Sequence, residues 1–135
     1  MTRGQRNNNP LNIRRSSATR WLGQQTRQLD RDFVQFRALL FGLRAAFRIM
    51  RTYITLHHLG TLRLVIYRWA PPEDGNDTES YLRTVCNMTG LLPSQPLDFD
   101  DEQTLTAVVK AMAWVESRMQ LDDNELIHQA YLLAR

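Results

Sequence analysis

The stretch DEQTLTAVVKAMAWVESRM, residues 101–119, decides how this chain folds. Leu105, Val108, Val109, Met112 and Met119 recur at three- and four-residue steps and form one stripe of a helix. Ala107, Ala111, Trp114 and Val115 widen the stripe until most faces are apolar. A helix of that kind runs through the core of its domain. Asp100 lies three residues before Gln103, at capping-box spacing, and predicts the start of a helix that continues to about Met119. Glu116 breaks the pattern. It falls on the stripe itself, four residues after Met112 and three before Met119.

A carboxylate there is disfavoured twice, by burial and by the negative end of the helix dipole. Both effects favour the protonated form, which a general acid requires. The plainer reading is a glutamate that pairs with one of the chain's many arginines, or that escapes to solvent at the helix end.

Working outward, residues 38–57 carry Leu39, Leu43, Ala46, Phe47, Met50, Tyr53, Ile54 and His57 on one helical face, with Gly60 placed to stop the helix. Arg37, Arg44, Arg48 and Arg51 lie away from that face. Residues 61–70 predict a short helix ended by Pro71 and Pro72. Asp77 caps a third helix that Gly90 closes. Asp122 and Glu125 repeat the capping-box spacing for a last helix over 123–134. FVQF, residues 33–36, alternates and predicts a strand or hairpin arm. The expected fold class is α+β, mostly α: five helices and a small β hairpin in one domain spanning 1–135.

Composition narrows the function classes. The 135 residues are 43% hydrophobic and 9% aromatic, as in a folded globule. Cys86 is the only cysteine, so no internal disulfide forms, and its place beside an apolar helical face predicts burial. His57, His58 and His128 do not make a metal-ligand pattern; no metal or cofactor is expected. Asparagines follow Arg3 and Arg6 where a signal peptide would be apolar, and no stretch reaches the length of a membrane span. The expectation is a soluble protein made in the cytoplasm and exported, if at all, by other machinery.

Charge is unevenly placed. Residues 1–70 carry 13 arginines against Asp30 and Asp32, whereas residues 71–135 carry 4 basic and 12 acidic groups. A basic half of this kind meets a polyanion, packs against the acidic half, or is simply a solvated face. Lys110 is the only lysine, which favours planar guanidinium hydrogen bonding. Nucleic acid is disfavoured as a partner here, because the arginines of residues 37–51 show no regular alternation with aromatic residues.

The opening stretch RGQRNNNPLNIRR, residues 3–15, has little appetite for helix or strand and must be held by something else. Together with later segments it carries a resemblance. Arg3-Gly4-Gln5-Arg6-Asn7-Asn8-Asn9-Pro10-Leu11-Asn12-Ile13-Arg14 is followed by Trp21-Leu22-Gly23, Phe33-Val34-Gln35-Phe36 and Gly42-Leu43-Arg44-Ala45. Then come Arg68-Trp69-Ala70-Pro71-Pro72, Asn76-Asp77-Thr78-Glu79-Ser80-Tyr81 and Glu116. This pattern resembles a family of small phage and prophage virion proteins related to peptidoglycan hydrolases. AWVES, residues 113–117, is also similar to the catalytic-glutamate segment of lysozyme-like glucosaminidases and lytic transglycosylases. There the asparagine loop follows the glutamate; here it precedes it, as in a circular permutation.

The resemblance implies a lysozyme-like helical domain that cleaves the peptidoglycan glycan strand, without a cofactor, with Glu116 as catalytic acid. It implies substrate contacts from Asn8, Asn9, Asn12, Gln35, Trp69 and Tyr81. Each also has a structural reading: Trp69 and Tyr81 as core, Asn9 as a turn cap before Pro10, Gln35 as a support. Asp30 and Asp32 are the only candidate second carboxylates in the first 70 residues, so a single-acid transglycosylase route is favoured over hydrolysis. Ser117-Arg118 stands where the family pattern has Asn-Gly, and an arginine there is placed to pair with the acid. The implied place of action is the periplasm and cell wall, or a phage particle, with other phage or secretion-system proteins as partners. The alternative is a non-enzymatic virion or assembly protein on the same scaffold, using its basic half to bind a partner or nucleic acid.

Overall fold

Local capping signals set most helix boundaries. The computed structural model describes all of residues 1–135 and contains six α-helices. They are α1 (Arg3–Arg6), α2 (Leu39–Arg51), α3 (Leu62–Trp69), α4 (Thr78–Thr89), α5 (Glu102–Ser117) and α6 (Asn124–Ala134). Thr61 accepts from the Leu64 amide, Asp77 from Ser80, Asp101 from Thr104 and Asp123 from Leu126. Each oxygen satisfies an amide that a first helical turn leaves unpaired. Asp101 and Asp123 take the roles expected of Asp100 and Asp122. For α5 the cause is a turn in which the Asp101 amide donates to the Asp98 carbonyl, delivering Asp101 to the helix start. Gly90, at φ 78°, ends α4 as its position predicts.

Two expectations are corrected. After Arg51 the chain widens into a π turn, Thr52–Leu56, which shifts the phase of the residues that follow. His57 is therefore exposed rather than on the apolar face, and the turn out of the helix is made by His58 at φ 56°, not by Gly60. The FVQF hairpin does not form either. Only isolated antiparallel bridges, Arg14 to Phe33 and Gln24 to Phe36, appear there. A few backbone pairs form, such as Val34 to Ile13 and Gln25 to Gln35, but side chains hold other groups that a longer ladder would need. Asn9 donates to the Val34 carbonyl, Gln35 Oε1 accepts from the Leu29 and Asp30 amides, and Gln28 donates to the Gln35 carbonyl. The fold is thus mostly helical with almost no strand.

Helix α5 runs through the core as its apolar faces require, burying Leu105, Val108, Val109, Ala111, Met112 and Ala113. Helix α4 packs on α5, and α2 packs on both α5 and α6. The core is one cluster of 29 buried hydrophobic residues reaching from Leu11 to Ala134. Tyr131 of α6 sits between Phe99 and Phe47, with ring centroids 5.2 and 5.5 Å away. Arg44 and Arg48 of α2 donate to the Leu133 and Ala134 carbonyls, at 3.5 and 3.3 Å, where α6 ends with unpaired acceptors. Two of the arginines set apart in the sequence thus close a neighbouring helix.

Candidate functional site

Helix α5 also ends with unpaired carbonyls, and here the first residues of the chain supply the donors. Asn12 Nδ2 donates to the Glu116 carbonyl at 2.9 Å, Thr2 Oγ1 to Ser117 at 2.7 Å and Gln5 Nε2 to Arg118 at 3.2 Å. Ser117 Oγ donates back to the Pro10 carbonyl at 2.7 Å. A Cβ on Gly4 would lie 1.9 Å from Ser117 Oγ, so only glycine allows α1 to come this close. Asn8 and Asn12 both adopt φ 52°, a left-handed backbone that asparagine tolerates better than most residues. The asparagine run is thereby explained: it is a loop shaped to cap the helix that carries Glu116.

Where loop and helix meet there is a cavity of about 300 Å³. Asn12, Trp69 and Glu116 line it, together with Arg14, Phe33, Tyr53, Ala70, Asp74 and Asn76. Glu116 is half-buried. Its Oε2 accepts from Trp69 Nε1 at 2.9 Å and from the Tyr81 hydroxyl at 3.0 Å. Burial, and then the neighbouring Glu116 charge, raise the Tyr81 phenol well above its ordinary range, so it stays a donor. Two donors on one oxygen leave that oxygen as acceptor only. Any proton on Glu116 therefore rides on Oε1, which has no protein partner. Asn12 Oδ1, in the same wall, is buried without a hydrogen bond.

The predicted site residues divide into two groups. Glu116, Asn12 and Trp69 share the cavity, with Tyr81 directly behind the carboxyl. Asn8, Asn9 and Gln35 do not line it. Asn9 is fully buried and donates to the Ile13 and Val34 carbonyls while accepting from the Ile13 amide, so it has no polar group to offer a ligand. Asn8 donates to the Phe36 carbonyl, and Gln35 donates to Asn7 and holds the Leu29 and Asp30 amides. These three are struts of the loop. Arg118 does not pair with Glu116; its guanidinium lies 5.3 Å over the Trp114 ring. Cys86 is half-buried, and burial pushes its thiol up.

Sequence reasoning missed Arg14, Phe33, Tyr53, Asp74 and Asn76. Arg14, Phe33 and Asn76 stood inside the quoted motifs and Tyr53 on the predicted apolar helical face; Asp74 had no signal beyond its polar surroundings in the sequence. Asp30 and Asp32 are unsuited to be a second carboxylate, since Arg3 engages both, at 2.5 and 3.1 Å. The Arg3 guanidinium, aided by the Asn7 amide and the Asp32 and Phe33 backbone amides, holds the Asp30 carboxyl far below the usual carboxylate range. A carboxyl depressed in the folded state contributes stability above its unfolded pKa of about 4, and that contribution is lost as pH falls. Urea midpoints measured from about pH 7 to about pH 2 are expected to drop below pH 4. Asp30→Asn is expected to be less stable at neutrality and to show a shallower acid limb. Identical acid limbs would show that Asp30 is not a source of the pH dependence.

Fold and site together define a small, mostly helical domain whose N-terminal asparagine loop is sewn to the end of a central helix, beside a glutamate-bearing cleft. No model of a known protein family matches the chain. Protein P5 of Pseudoalteromonas phage PM2 is 42% identical to it over 117 residues, covering 85% of this chain and 71% of that protein. The chain belongs to the family of that phage protein. No helix is long and apolar enough to cross a membrane.

Proposed function

We propose that this chain serves in a phage particle or its assembly, with its arginine-rich first half as a binding surface. The kinship with Protein P5 of a phage supports the first part. Charge pairing supports the second: within residues 1–70 only Arg3, Arg31 and Arg63 reach a carboxylate. No carboxylate of the chain neutralises the other ten arginines, of which Arg15, Arg44 and Arg48 donate to backbone carbonyls. Mass spectrometry of purified particles, and of assembly intermediates, from the phage or lysogen carrying this sequence tests the reading. The protein is expected in one of these fractions after salt washing. Absence from both refutes the role.

A second reading is favoured by one observation, the Glu116 carboxyl set in the cleft with Oε1 free. On a lysozyme-like, permuted scaffold, Glu116 would protonate a glycosidic oxygen of the peptidoglycan glycan strand from Oε1, while Trp69 and Tyr81 hold Oε2. Asn12 lines the same cavity and would contact the sugar. Asp74, also in the lining, would be the carboxylate to assist water if the outcome is hydrolysis. Incubation with sacculi should release muropeptides, and Glu116→Gln should lower the rate by about 100-fold or more. Anhydro ends would mean transglycosylation and reducing ends hydrolysis. Equal release by both proteins removes Glu116 from the chemistry, and no release by either removes the enzymatic reading.

A further inference from the structure

Two basic cavities lie away from the Glu116 cleft and share Gln24. The first, about 520 Å³, is lined by Arg20, Arg37 and Arg44 with Trp21, Gln24 and Thr26. The second, about 410 Å³, is lined by Arg15 and Arg31 with Ser16, Ser17 and Gln24. No acidic side chain lines either. Asp30 and Asp32, the only acids in this half, are held by Arg3, with Arg31 a further 3.6 Å contact of Asp32. The loop carrying the strip is fixed rather than loose. The Arg37 amide donates to the Gly23 carbonyl at 2.8 Å, and Gly23, at φ 77°, packs so close to Phe41 that a Cβ would lie 2.0 Å from the ring. Helix α2 then starts at Leu39 with neither a side-chain cap nor an acid in its first turn, which adds a positive helix end beside Arg37. Burial and the neighbouring Arg48 both act against the Arg44 charge, a situation that a bound anion relieves.

We propose that this strip binds the phosphate backbone of a double-stranded nucleic acid without reading its bases. Arginine forks match phosphate oxygens, and serine, threonine and glutamine supply the neutral donors that backbone contacts use. A regular alternation with aromatics, whose absence disfavoured nucleic acid in the sequence, serves to stack single-stranded bases and is not needed to hold a duplex backbone. An anionic membrane surface fits less well, because Leu22 is the only large exposed apolar side chain in either lining. The proposal rests on the reading of the arginine-rich half as a binding surface, and is independent of Glu116.

The full chain is titrated with a fluorescent DNA duplex of about 20 base pairs at rising salt, beside phosphatidylglycerol vesicles. At about 0.1 M salt the triple variant Arg15→Gln, Arg20→Gln, Arg37→Gln is expected to bind at least ~10-fold more weakly, with the log–log salt slope shallower by about 2–3. Arg44 is left intact because it closes α6. Since Arg15 also donates to the Asp30 carbonyl, the pair Arg20→Gln, Arg37→Gln is a second test with an expected slope change of about 2. A charge-matched control, Arg68→Gln, Arg83→Gln, Arg118→Gln, should stay within about 3-fold of the parent chain. Equal weakening by both triples would reduce the effect to bulk charge and overturn the strip. Vesicle binding without duplex binding would overturn nucleic acid as ligand while keeping the binding surface. Absence of the protein from phage particles would remove the phage role and leave the duplex measurement standing.

Discussion

Asn9→Ala is expected to cost about 3 kcal/mol of folding stability, a large share of what a small domain has. The side chain is fully buried and makes three hydrogen bonds. Removing it leaves the Ile13 amide and the Val34 carbonyl unpaired away from water, each at a penalty of about 1–3 kcal/mol. The Ile13 carbonyl is partly spared, because it also accepts from the Val34 amide. Asn9→Asp keeps the size but turns an acceptor toward two carbonyls, so it should lose at least as much. Urea midpoints of the two variants are the measurement. A loss under about 1 kcal/mol in both would show that the loop is not held by this residue.

Gly42→Ala should be nearly as damaging, although alanine is the better helix former by about 1 kcal/mol. A Cβ at this position of α2 would lie 1.9 Å from the Asn8 carbonyl oxygen and 3.0 Å from Pro10 Cδ. The obstacle is backbone in a loop pinned by Asn9 and by the Phe36 amide on the Asn7 carbonyl, so it cannot step aside cheaply. Overpacking of this kind costs about 1–3 kcal/mol and sometimes more, and here it should outweigh the helical gain by about 2 kcal/mol. Moving the loop would also pull Asn12 away from the Glu116 carbonyl, so the Trp69 indole resonance should shift in the NMR spectrum. Gly60→Ala is the control: nothing lies within 4 Å of a Cβ there, and the change should stay within about 0.5 kcal/mol. Equal effects at Gly42 and Gly60 would rule out the steric account.

Part of the site was legible before any coordinates. Glu116 announced itself as a charged residue on an apolar stripe, and the asparagine loop as a segment needing a partner. That the two meet was implied only by resemblance, and the roles inside the loop were misassigned. Asn8, Asn9 and Asn12 look alike in sequence, yet Asn9 is sealed beneath the loop and Asn12 stands in the cleft wall. Asp74 joins the cavity from a single 3-10 turn, Pro72–Asp74, that spacing rules do not reach.

By itself the sequence determined the helices from α3 to α6 and the central course of α5, because periodicity and capping act over three or four residues. Tertiary structure decided the rest. It dissolved the expected hairpin, widened the end of α2 into a π turn, assigned Arg44 and Arg48 to the end of α6 and left other arginines unpaired. Hydrogen bonds between residues as far apart as Thr2 and Ser117 settle those outcomes, and no local spacing encodes which donor reaches which carbonyl.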